Sequence, residues 1–265
     1  MKKFWFILTA LVATCFLVAC SGSQGVSPKT IKEKKKIVVA TESEFAPFEF
    51  KSLVNGKDTL VGADIELAKA IGKKLGVEVE FSVMSFDNVL ANVQSGKADI
   101  AIAGISVTDE RKKVYDFSDS YYTSENVVIV KKDKVNDYTS TDSLAKQTVG
   151  TQKGSVQETV AKKQIPKASV VSLASNGEMI NELKSGQIQA VVLEKAIAEG
   201  YIAQSDDLTL ANFNLKSDGS DAYAVATRKG SDDLLKEINA VIKETKDSGK
   251  FDQWLKEAST YKQSK

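Results

Sequence analysis

From residue 37 onward, short apolar runs alternate with stretches whose apolar residues recur every three or four positions, the pattern of strands and amphipathic helices in succession. Ile37 to Ala40 is apolar and β-branched, which predicts a buried strand delivering Thr41 to Glu49 into a loop. Asn55-Gly56 marks a hairpin turn. Ile65, Ala68, Ile71 and Leu75 share one helical face, with Asp64 expected as its cap and Gly76 as its stop. Val77, Val79, Phe81 and Val83 alternate as a second strand, and Val89, Leu90 and Val93 make a helix that ends near Gly96. Asp99 to Ala103 is the third strand, and Gly104 then allows close backbone approach before Ser106, Thr108 and another helix start.

The order then returns. Ser185-Gly186-Gln187-Ile188-Gln189-Ala190-Val191-Val192 echoes Ser95 to Ile102, and in both a helix ends at glycine before a buried strand. Thr148 to Thr151 is a strand running into a turn and helix start at Gln152 to Gln157, and Met179, Ile180 and Leu183 form the helix before Gly186. Ala222 to Thr227 predicts a strand, after which Ser231 is expected to cap a helix with Leu234, Ile238, Val241 and Thr245 on one face. Such alternation, built twice, predicts an α/β protein of two Rossmann-like lobes with parallel sheets, joined by a two-segment hinge. The crossings are expected at Val127 to Val130 and at Asp218 to Tyr223, which assigns 37–127 with 222–265 to lobe 1 and 128–221 to lobe 2. The loops after Ala40, Ala103, Val149 and Leu193 should converge on a cleft between them.

The first 19 residues read as an address. Lys2 and Lys3 precede an apolar run from Phe4 to Val18, the length of a signal-peptide core and short for a membrane span. The run ends in Leu17-Val18-Ala19-Cys20, which resembles the lipobox of bacterial lipoproteins. That resemblance implies cleavage before Cys20, lipid on Cys20 and anchorage at the extracytoplasmic face of a cell membrane. Residues 20–36, polar and then lysine-rich, are expected to be the tether. Cys15 would leave with the peptide and the lipid would consume Cys20, so no disulfide is expected.

Composition narrows the chemistry. Thirty-six Lys and Arg against 35 Asp and Glu give a net charge of +1, which becomes −1 once Lys2 and Lys3 are removed, so nothing suggests nucleic acid as a partner. The absence of histidine removes His-dependent triads, His general bases and His metal sites, and no cofactor or metal is expected. Gly96 to Arg111 carries the strongest site candidate. Backbone N–H groups at a helix start, the hydroxyls of Ser106 and Thr108, and a bidentate Arg111 could together hold a carboxylate. Asp109-Glu110-Arg111 taken alone equally describes a solvated helix face.

Four motifs then occur in order: Thr41-Glu42 with Phe45-Ala46-Pro47-Phe48-Glu49; Val61 to Ala68; Gly104 to Thr108 with Arg111; and Asp116-Phe117-Ser118 with Tyr121-Tyr122. As a set they resemble the polar amino-acid-binding proteins of ATP-binding-cassette importers, solute-binding protein family 3, whose fold is the type II periplasmic binding fold. The resemblance implies a monomeric binding protein rather than an enzyme, with an amino acid as ligand and the importer's membrane subunits as partners. It implies that Arg111 clamps the ligand's α-carboxylate, helped by Ser106 and by backbone N–H groups at Gly104 and in the Ser155-Val156 turn. Glu194, standing where the family usually has Asp, would receive the α-ammonium. Phe45 and Phe86 match the aromatic positions that sandwich the ligand side chain, although either could be ordinary core. Glu42 sits where an acid meets the ligand's distal end, and an unpaired carboxylate there favours a guanidinium or ammonium. L-arginine or another basic amino acid is therefore expected, with glutamine or another uncharged polar ligand as the alternative.

Two rivals come from other classes. Some relatives on this fold are dehydratases of cyclic dicarboxylic acids, and Glu42 with Glu194 could serve as an acid/base pair, though no Gly-x-Ser-x-Gly nucleophile motif is present. A surface sensor or adhesin on the same fold is the second, against which stands the lack of a second apolar span or signalling domain after Lys265.

Overall fold

The computed structural model describes residues 25–264 apart from Asp218 and Ser220, so the expected signal peptide and Cys20 lie outside the described residues. In chain order, α1 (Pro28–Lys34) precedes β1 (Lys36–Thr41), β2 (Glu44–Phe45), β3 (Glu49–Val54), β4 (Lys57–Val61), α2 (Ala63–Leu75), β5 (Glu78–Val83), α3 (Phe86–Gln94), β6 (Ile100–Ala101), α4 (Asp109–Lys112), β7 (Tyr115–Phe117) and β8 (Tyr122–Thr123). There follow β9 (Asn126–Lys131), β10 (Thr148–Gln152), α5 (Val156–Gln164), β11 (Ser169–Leu173), α6 (Asn176–Ser185), β12 (Ala190–Glu194), α7 (Lys195–Ile202) and β13 (Leu208–Leu210). The chain closes with β14 (Ala222–Tyr223), β15 (Ala226–Arg228), α8 (Asp232–Asp247) and α9 (Lys250–Ala258).

Two five-stranded sheets result, in the orders β5-β1-β6-β15-β7 and β11-β10-β12-β9-β13. The orders match strand for strand, which is the structural form of the repeated Ser-Gly phrase. In each sheet three strands are parallel and the fourth is antiparallel, and that fourth strand comes straight from a crossing between the lobes. Gly96 and Gly186 both adopt positive φ at the ends of α3 and α6, as a helix stop before a strand requires. Asn55 and Gly56 have φ of 52° and 76°, the paired left-handed conformation of a tight hairpin, here joining β3 to β4.

The first crossing lies off its expected place, while the second, Ala222–Tyr223, falls within the expected Asp218 to Tyr223. Val127 to Val130 belongs to β9 and is paired with β12 from Asn126 onward, so it is sheet and not hinge. An apolar β-branched run buries better inside a sheet than between lobes, where a crossing must stay pliable. The crossing is the short antiparallel pair of β8 and β14, with Tyr122 opposite Tyr223. The strand expected over Ala222 to Thr227 accordingly splits, its first part in the hinge pair and its second in the lobe 1 sheet.

The tether is also shorter than 20–36. Ser27 caps α1 through a capping box with Thr30, Ile31 is fully buried, and the Val26 N–H donates to Ser231 Oγ at 2.8 Å. Ser231 stands at the start of α8 but spends its hydroxyl on Val26 and on the Arg228 carbonyl rather than on a helix N–H. Asp64 likewise does not cap α2. Gly62 occupies the cap position, at φ 131° and so close to the Phe48 carbonyl that a Cβ would stand 2.0 Å from its oxygen. Asp64 is turned inward.

Candidate ligand-binding site

The site is assembled from strand ends and helix starts of both lobes. Lobe 1 supplies Glu42 just after β1, Phe45 on β2, Phe86 at the start of α3, Gly104 and Ser106 after β6, and Arg111 on α4. Lobe 2 supplies Ser155 and Val156 at the start of α5 and Glu194 at the end of β12. Most lie at or just after a strand end or at a helix start, which is where a βαβ unit presents side chains and free backbone groups.

Arg111 is fixed by its own loop and by the other lobe. Its Nη1 donates to the Ser106 carbonyl at 2.8 Å, its Nη2 to the Gly154 carbonyl across the cleft at 3.1 Å, and its backbone N–H to the Thr108 hydroxyl at 3.1 Å. The guanidinium lies 5.9 Å from the centre of the Phe86 ring. Burial lowers its pKa to about 10, so it remains a cation at neutral pH. Phe86 is thereby both core, packed with Val89 and Val93, and platform for Arg111. Phe45 packs against Phe48 and Tyr223 and beneath Gly104, where a Cβ would come within 2.5 Å of its ring. Only glycine allows that approach, and at φ 53°.

Two expected donors are already engaged. The Gly104 N–H donates to Asp64 Oδ2 at 3.1 Å and the Ser155 N–H to the Gln152 carbonyl at 3.2 Å, so neither is free to hold a ligand carboxylate. A ligand carboxylate is left with Arg111, the Ser106 hydroxyl and the Val156 N–H, which opens the helix of α5.

The acids at the other ends of the site are both buried. Glu194 faces Asn126 across the β12–β9 pairing, and Gln157 bridges them, its Nε2 donating to Glu194 Oε1 and to Asn126 Oδ1 at 2.7 Å each. Burial raises the Glu194 carboxyl to about 7, against the Gln157 hydrogen bond and the Arg111 charge that lower it. Glu42 is 4% exposed and both its oxygens accept from Gln152 Nε2, at 3.2 Å, across the cleft. Burial pushes it up to about 8, opposed by the Gln152 hydrogen bond and reinforced by the charges of Glu44 and Glu194. Gln152, Gln157 and Asn126 were not indicated by the sequence. The signal that could have found them is their position, an amide at each strand or helix end facing an acid.

Together the lobes bring one guanidinium, Arg111, and two buried acids, Glu42 and Glu194, to the strand ends and helix starts that face each other. Residues 37–258 match the bacterial extracellular solute-binding proteins, family 3. The chain belongs to that family. It is 35% identical to the arginine-binding extracellular protein ArtP of Bacillus subtilis (strain 168), over 97% of each chain. It is 33% identical to the ABC transporter glutamine-binding protein GlnH of the same strain, over 97% of this chain and 98% of that one. A crystal structure of AbpA, an amino acid ABC transporter substrate-binding protein from Streptococcus pneumoniae bound to L-arginine, shares 50% identity with a TM-score of 0.85, covering 88% of this chain and 98% of that one. As a member of the solute-binding family the protein has the two-lobed α/β fold of the type II periplasmic binding proteins.

Proposed function

We propose that this solute-binding protein captures L-arginine or another basic amino acid for an ABC importer, held to the outer face of the cell membrane by lipid on Cys20. The observation that carries the ligand is Glu42, a carboxyl group taken out of water with only the Gln152 amide as hydrogen-bond partner among the described residues. A guanidinium or ammonium satisfies such a group better than an amide, because it supplies charge as well as hydrogen bonds. Arg111 would hold the α-carboxylate and Glu194, on the opposite lobe, the α-ammonium. Binding of both ends would need closed lobes, the form offered to the importer's membrane subunits. ArtP and the arginine-bound AbpA structure support this reading by likeness.

One observation favours a second ligand. Gln152 already meets both oxygens of Glu42 with an amide, and a ligand amide could do the same, so glutamine is the alternative.

Proton release separates the two. Glu42 titrates at about 8 and Glu194 at about 7, and a bound cation favours the ionised form of each, so binding below those values must expel a proton. Calorimetry in buffers of different ionisation enthalpy should show arginine affinity rising by as much as roughly a hundredfold per unit below about pH 7, where both acids give up a proton, and roughly tenfold per unit from there to about 8. Glutamine affinity should rise by at most roughly tenfold per unit and level off near about 7. Glu42→Gln should weaken arginine more than glutamine and remove the difference between their pH profiles. Equal losses for the two ligands would take Glu42 out of the distal site. Metabolic palmitate labelling should be lost in Cys20→Ala, and labelling that survived would remove Cys20 as the lipid site.

A further inference from the structure

The binding scheme leaves one buried pair of acids without a role. Glu49 opens β3 and Asp64 is the second residue of α2, and both have 0% exposure. Asp64 Oδ2 accepts from the Gly104 N–H at 3.1 Å and from the Tyr121 hydroxyl at 2.8 Å. Asp64 Oδ1 and both Glu49 oxygens have no N–H or other O–H donor among the described residues. The two carboxyl groups lie within hydrogen-bonding reach of each other. The other titratable groups acting on Glu49 are Glu42 and Glu194, and it acts in turn on the Tyr121 and Tyr223 hydroxyls, so its surroundings are acidic throughout. No group of three or more His, Cys, Asp or Glu among the described residues is placed to hold a metal there.

Two ionised carboxylates with two donors between them are untenable in such a place, since each uncompensated buried charge costs several kcal/mol, on the order of what a whole domain has to spare. A single proton resolves the arrangement. We propose that Glu49 is a neutral carboxylic acid whose O–H donates to Asp64 Oδ1, and that through Asp64 it positions both the Gly104 loop of the ligand site and Tyr121 at the mouth of the hinge. Asp64 keeps the negative charge, because its other oxygen already receives two donors. Burial drives Glu49 well above the ordinary carboxylate range, with Asp64 and Glu42 adding to it, and Asp64 rises only to about 6. Gly104 is two residues from Ser106, whose carbonyl holds Arg111, and Tyr121 adjoins β8. Glu49 is thus a positioning residue, and its effect on ligand affinity rests on the reading that the Gly104 to Arg111 loop holds the ligand.

The sign of the pH effect follows from where the proton sits. The folded chain keeps a proton that the unfolded chain gives up above about 4.5, so this contribution to stability is complete at acid pH and falls as pH rises toward the folded value. The full chain from Ser21 would be compared with Glu49→Gln and Glu49→Leu, by thermal unfolding from pH 5 to 9, by infrared spectroscopy of the carboxyl stretch at neutral pH, and by arginine titration. Glutamine supplies the same donor without the proton. Its variant should keep arginine affinity within about twofold, show a shallower decline of melting point with pH, and lose a protonated-carboxyl band present in the parent. Leucine leaves Asp64 Oδ1 unpartnered and should cost about tenfold or more in affinity, the equivalent of one buried unsatisfied acceptor. Melting profiles of parent and Glu49→Gln that superimpose, or no protonated-carboxyl band lost, would overturn the proposal. Should Glu49→Leu fail to fold, the Glu49→Gln melting and infrared results decide alone. Those two readouts need no ligand, so a failure of the arginine reading would show separately, as an absence of binding by the parent.

Discussion

At the scale of single residues, the site is a matter of which polar groups are left wanting partners. Arg111 stands in a stretch that equally describes a solvated helix face, and Glu42 and Glu194 were legible only through the family resemblance; the structure finds both acids buried and Arg111 bonded to carbonyls of both lobes. The amides were not legible, since Gln152, Gln157 and Asn126 look like any polar residue until a buried acid is found facing them. Gly104 was read correctly as a site of close approach, but its N–H serves Asp64 and the reason for glycine is the Phe45 ring. The carboxylate end therefore leans more heavily on Arg111 than the motif suggests. Arg111→Ala should cost about 2 to 5 kcal/mol of affinity for any amino-acid ligand, measured by calorimetry. Unchanged affinity would remove Arg111 from the site.

At the scale of elements, the Ser-Gly repeat announced the matching topologies, and apolar periodicity found β1, β5, β6, β10, β12 and β15 with α2, α3, α6 and α8. It did not find β7, β11, β13, α7 or α9, and it made β9 look like a crossing. It also missed α1, because lysines at 32, 34, 35 and 36 made the segment look solvated when its one buried face is a single Ile31. The cue was Ser27-Pro28, an N-cap followed by proline in the first turn. Ile31→Ala should lower stability by about 2 to 5 kcal/mol in urea unfolding, as for other fully buried aliphatic residues. A change within experimental error would restore the segment as tether. A second element-scale contact joins the lobes: Glu44 of β2 accepts the Gly177 N–H of α6 at 3.1 Å, a carboxylate seated on the positive end of a helix. Glu44→Gln should weaken arginine and glutamine by one common factor, about two- to fivefold, through faster dissociation in stopped-flow traces. Unequal losses would mean that Glu44 reads the ligand rather than the closure.

At the scale of the whole molecule, polar contacts cross between the lobes beside an apolar cluster that runs from Phe45 and Phe48 of lobe 1 into Met179, Ile180 and Ile197 of lobe 2. Lys153 reaches Asp87 at 2.8 Å, Gln152 reaches Glu42, Arg111 reaches Gly154 and α6 receives Glu44. Such contacts form and break at modest cost, which suits a molecule that must open to load and release. The doubled sheet order also has an outcome in time. Lobe 2 can be completed from one continuous stretch, Asn126 to Leu210, whereas the lobe 1 sheet has β15 inserted between β6 and β7. A chain emerging from its N-terminus cannot finish lobe 1 until nearly all of it has been made, so the segment that leads stays open longest. Hydrogen-exchange labelling during refolding should find the β10–β12 amides protected before those of β6 and β7. A first half that closes last is a first half that can still be threaded through a membrane pore.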